Sequence, residues 1–128
     1  MTSLIGRFMR DLPYLREGLV PQKEGGAELD KLDYAGEKHE KLSDDDVREL
    51  AEAMMENDSF RGDLELNKNG LSDLAALHLA PIFEKTSCHN ISKLKLDGNN
   101  FTSKAGEYIG QALSANPSYR IKKISFDG

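Results

Sequence analysis

The chain has no tryptophan, one cysteine and four prolines in 128 residues. With Cys88 alone, an internal disulfide framework is impossible, which favours a reducing, cytoplasmic setting over a secreted one. No apolar run approaches the roughly eighteen residues that a membrane span requires, so no membrane-embedded role is expected. A basic excess is missing too. Lys and Arg number 17 against 22 Asp and Glu, a net charge of -5, and the cations are scattered among acids. Affinity for nucleic acid or anionic lipid is built from clustered cations, so neither is an expected partner. Arg7, Arg10 and Arg16 among Leu4, Ile5, Phe8, Met9 and Leu12 have some character of a mitochondrial presequence, which Asp11 and Glu17 argue against.

What is present is an ordinary globular composition, 38% hydrophobic and 30% charged, at a length that favours one domain with its own core. The chain also repeats itself with a shift of about 30 residues, a period in the solenoid range. One copy reads Arg61-x-x-Leu64-x-Leu66-x-x-Asn69-x-Leu71 and the next Ile91-x-x-Leu94-x-Leu96-x-x-Asn99-x-Phe101. A further copy begins at Ile121-x-x-Ile124-x-Phe126, and a looser one precedes them at Leu29-x-x-Leu32-x-Tyr34. The second halves repeat as well. Leu42, Leu71 and Phe101 open equivalent segments, followed by Leu50, Leu79 and Ile109 and then by Met54, Phe83 and Leu113. The last two sets are four residues apart, one face of a helix. Ala51, Ala80 and Gly110 are small, as expected where helices lie close together.

Each unit therefore predicts a short strand, a turn and a helix. The alternation Leu64-x-Leu66 and Leu94-x-Leu96 turns Glu65 and Lys95 outward. Ser43 before Asp44, Asp45 and Asp46, and Ser72 before Asp73, are N-cap and first-turn signals. Asn57, Asn90 and Asn116 stand near the helix ends as turn formers.

The segments LELNKNGLSD and LKLDGNNFTSKAGEYIGQAL resemble the ribonuclease-inhibitor-like class of leucine-rich repeats, over roughly residues 29 to 128. The resemblance implies an α/β fold: a right-handed leucine-rich-repeat solenoid with a parallel sheet on its concave side and helices on its convex side. The copy at Leu29 departs from the pattern, with Glu37 where asparagine would stand. The expected organisation is an N-terminal capping or docking helix and linker over 1–26, then a repeat domain over 27–128 of about three repeats, the last incomplete.

No combination of residues predicts catalysis. Cys88 and His89 are adjacent in a helix-to-strand loop and lack a third, orienting group. His39 and His78 have no metal-ligand spacing, and the Asp44 to Asp46 run points in different directions on a helix. Asp97-Gly98-Asn99-Asn100 lacks the alternating acids of a calcium loop. Asn69 and Asn99 are expected to hydrogen-bond the turn after each strand. No cofactor is implied.

The expected function is that of a non-enzymatic adaptor or scaffold subunit with a protein partner. Its candidate surface is the outward strand positions: Asp33, Glu65, Lys95 and Ser125 in one column, Lys31, Asp63, Lys93 and Lys123 in the next, and Ala35, Asn67, Asp97 and Asp127 beyond. Acids dominate the early repeats and lysines the later ones, so a partner with the opposite gradient would fit. Ile121, Ile124 and Phe126 are a second candidate, an edge that further repeats, a second copy or another chain would complete. The alternatives are a regulator of an enzyme, such as a GTPase-activating or inhibitor repeat protein, and a cytoskeletal protein, given a looser resemblance to tropomodulins and ciliary repeat subunits.

Overall fold

The computed structural model describes residues 3–23, 25–85 and 90–126. Cys88, His89 and Asp127 lie outside the described residues. Helices and strands alternate: α1 (Leu4–Arg16), β1 (Lys31–Asp33), α2 (Asp44–Met55), β2 (Gly62–Glu65), α3 (Asp73–Glu84), β3 (Ile91–Lys95), α4 (Ser103–Ala115) and β4 (Lys123–Ser125). The strands form one parallel sheet in the order β1-β2-β3-β4, each step crossing over through a helix as parallel pairing requires. This is an α/β fold. Among the described residues no helix is long and apolar enough to cross a membrane.

Strand alternation and helix periodicity together make the core. Leu32, Leu64, Leu94 and Ile124 form one row across the sheet. The three leucines are buried beneath the helices, together with Val47, Leu50 and Met54 of α2 and Ala75, Leu79 and Phe83 of α3. Full burial of a Leu or Phe side chain contributes about 1.5–3 kcal/mol, so these rows hold the layers together. Ala51 and Ala80 are buried at helix contacts, whereas Gly110 is exposed with open space around it.

Polar side chains tie neighbouring units at two levels. In the turns after the strands, Asn69 donates to the carbonyls of Tyr34 (2.8 Å) and Leu66 (3.1 Å) and accepts from the Leu42 amide (2.8 Å). Asn99 repeats this one unit on, bonding the Leu66 and Leu96 carbonyls and accepting from the amides of Asn69 and Leu71. At the far helix ends Asn57, Asn90 and Asn116 form a second series. Asn57 reaches back to the Leu15 and Leu19 carbonyls, Asn90 to those of Asn57 and Phe60, and Asn116 to those of Phe83 and Lys85. All three are buried, so these turn formers are also links between repeats.

The helix starts are linked in the same way. Ser43 and Asp46 make a reciprocal capping box on α2. Asp44 instead accepts from the amide (3.0 Å) and hydroxyl (2.7 Å) of Ser72, the N-cap of α3. Asp73 does the same for Thr102, the N-cap of α4. Those Thr102 bonds hold the Asp73 carboxyl below its ordinary pKa. The turns also need a left-handed residue. Lys68 and Gly98, one repeat apart, have φ of 62° and 70°, a conformation that costs glycine little and lysine more.

Helix α1 lies against the first repeat with Leu4, Phe8, Leu12 and Leu15 buried, and runs on through Pro13. The Leu4 amide at its start donates to the carboxylates of Glu37 and Glu40, both at 3.0 Å, where the positive end of the helix favours acids. Gln22 bridges to Glu28, and the Leu29 amide donates to the Pro21 carbonyl.

Candidate functional site

The sheet face turned away from the helices carries the outward strand positions, and the pairing register fixes their neighbours. Lys31 stands beside Asp63, Asp63 beside Lys93, and Lys93 beside Lys123. One step along, Asp33, Glu65, Lys95 and Ser125 form the parallel row. A cavity of about 200 Å³ opens between the rows, with Lys31, Asp63 and Glu65 on one flank and Lys93, Lys95, Lys123 and Ser125 on the other.

The two flanks differ in how their charges are used. Lys31 reaches diagonally across the first strand pair to Glu65 at 3.1 Å, and the Glu65 side chain is only 13% exposed. The hydrogen bond to Glu65, and then its charge, raise the pKa of Lys31. Lys93, Lys95 and Lys123 are exposed and make no ion pair among the described residues. Strand neighbours are about 4.8 Å apart, so Lys93 and Lys123 repel each other unless an anion lies between them.

Further along the strands Asn67 and Asp97 are half-buried, and Oδ1 of each is enclosed without a hydrogen-bond partner among the described residues. These two are therefore less available than the lysines. Ile121, Ile124 and Phe126 are also half-buried and pack on the core, with the Phe126 ring edge-on to Phe101 at 6.1 Å.

At the β1 end the structure adds residues that the strand pattern does not reveal. Arg7 donates to the Asp33 carbonyl at 3.3–3.4 Å, closing the outer edge of β1. Asp11, buried in α1, accepts from the Tyr34 hydroxyl at 2.6 Å and from Arg10 at 3.0 Å. Burial pushes the Tyr34 hydroxyl well above its ordinary pKa, and the Asp11 carboxylate adds to the shift. The signal in the sequence is an acid on the apolar face of a helix: Asp11 follows Phe8 by three and precedes Leu15 by four.

No protein-family model matches the chain, and no curated protein matches it. Among solved structures, actin-binding site 2 of leiomodin-1 is similar in fold, with a TM-score of 0.75 at 18% identity over 94% of this chain. The chain spans 62% of the length of that structure. The likeness shows a leucine-rich-repeat-like fold.

Proposed function

We propose that this chain is a non-enzymatic protein-interaction module, an adaptor or scaffold subunit of the cytoskeletal kind, whose partner docks on the open face of the sheet. The unpaired lysines 93, 95 and 123 carry the reading. Three ammonium groups held together on rigid strands oppose one another in the free chain, and an acidic partner segment relieves that opposition. Asp33 and Asp63 at the other end then select a partner with basic groups about two strands away. The leiomodin-1 domain, described as an actin-binding site, supports the cytoskeletal assignment and makes actin the first partner to try. The reading includes a cytoplasmic location and a right-handed coil of the ribonuclease-inhibitor-like class.

Co-sedimentation with actin filaments is the first test, followed by affinity purification from the source cell for other partners. The chain is expected to bind, and Lys93→Glu with Lys95→Glu to weaken binding at least about tenfold, or about 1.4 kcal/mol. Absence from the filament pellet would remove actin. Whichever partner is found, binding that is indifferent to these reversals would remove the open face.

A further inference from the structure

The helix side of the molecule carries a second surface, distinct from the sheet face and independent of the reading above. Met55 apart, the outward positions of α2 and α4 are polar or small: Asp45, Arg48 and Glu52 on the first, Lys104, Glu107 and Gln111 on the second. The helix between them differs. Leu74 and Leu77 of α3 are 55% and 44% exposed, Pro81 is exposed beside them, and Met55 of α2 is 37% exposed. A helix with apolar residues all round is normally covered on every side. Here Leu77, Pro81 and Met55 border a groove of about 230 Å³ between α2 and α3, with the buried Ala51 in its floor. The spacing of Leu74, Leu77 and Pro81 is i, i+3, i+7, the one that helix-in-groove contacts use.

The rim of the groove selects the occupant. Arg48 is consumed by Asp45 at 3.8 Å and Glu52 at 3.1 Å. Lys85 is turned under the helices, bonded to the Met54 and Asn57 carbonyls and to Asp58, with 10% of its side chain exposed. Glu56 and Glu84, exposed at the helix ends, make no ion pair among the described residues. Pro81 has no amide hydrogen to give the Leu77 carbonyl, which loses its regular helical donor. The groove wall thus holds the half-buried His78 and the Arg48–Glu52 pair beside its apolar side chains, and the unpaired charges at the nearby helix ends are the acids Glu56 and Glu84.

We propose that this groove receives an amphipathic helix with basic flanks from a partner protein, its apolar side chains between Leu77 and Met55 and its cations over Glu56 and Glu84. A second copy of the chain is the weaker occupant, because it would bring the same acidic rim against this one.

Fluorescence anisotropy with the full chain tests the proposal, using a labelled amphipathic Leu/Lys peptide of about 18 residues and its Leu/Glu twin. The Leu/Lys peptide is expected to bind, and the twin to bind at least about tenfold more weakly. Leu74→Gln with Leu77→Gln is expected to cost the Leu/Lys peptide about tenfold, while Lys122→Gln, at an exposed position next to β4, leaves it unchanged. Both leucines are exposed, and an unaltered melting temperature confirms that the variant is folded. Equal binding of the two peptides, no binding of either, or indifference to the leucine changes overturns the proposal. So does a peptide-free dimer that dissociates on the same changes, which would give the groove to a second copy.

Discussion

The two halves of the open sheet face are built from the same repeat and treat their charges in opposite ways. Around β1 and β2 several charges are used within the molecule: Lys31 on Glu65, and from α1 Arg7 on the Asp33 carbonyl and Asp11 on Tyr34 and Arg10. On β3 and β4 the lysines are left over. The difference separates polar groups that hold the fold from polar groups that the fold merely holds out. The first kind is costly to remove, and the second is nearly free to remove unless a partner is present.

The largest effect is expected in the first half. Asn69→Ala leaves the Leu42 amide and the Tyr34 carbonyl without their Asn69 partner, while Asn99 still serves the Leu66 carbonyl, and should cost about 4 kcal/mol in urea unfolding. Asn99→Ala, at a half-buried position, should cost about half as much; equal losses would erase the contrast. Next comes Asp11→Ala, which strands a buried tyrosine hydroxyl and should cost about 2 kcal/mol by the same measurement.

A pH titration of stability sharpens the comparison further. The folded-state pKa of Tyr34 lies above its unfolded value, so its contribution is complete below about pH 10 and is lost as the pH rises toward the folded value. Stability should therefore fall with a slope of up to about 1.4 kcal/mol per pH unit from this group on the alkaline side, and less steeply in Tyr34→Phe. Identical alkaline slopes for the two proteins would show that burial of Tyr34 does not govern that limb. The smallest effect belongs to the second half. Lys93→Ala with Lys123→Ala should stabilise the chain by about 0.5 kcal/mol at low salt and by less at high salt; a loss of stability would mean that these lysines have partners within the fold.

The apolar rows and helix faces were legible in the sequence because each follows a local period, two for Leu64 and Leu66 and about 3.6 for Leu79 and Phe83. The columns on the open face follow from the same repeat, and the register places Asp63, Lys93 and Lys123 side by side. Less legible were groups whose partner lies a whole unit away. Asp44 and Asp73 read as acids in the first turn of their own helices, yet their carboxylates serve the next helix. Asn57 and Asn116 each follow an inward helix residue, Met54 and Leu113, by three, a regularity that marks them as equivalent without showing what they bond. The greasy outer face of α3 was masked because Leu74 and Leu77 sit among Leu79, Ile82 and Phe83, which are core. In a helix apolar on all sides, periodicity cannot separate a covered face from an open one.

The cap links have a consequence for how such a chain changes length. Asp44 to Ser72 and Asp73 to Thr102 span 28 and 29 residues, and each joins the same two positions of successive units. Duplicating one whole unit between them would hand every donor and acceptor a new counterpart of the same kind. Inserting two or three residues within a helix would displace every link beyond it at once. The molecule is thus tolerant of coarse copying and intolerant of fine insertion, so its length should vary among descendants in steps of one unit.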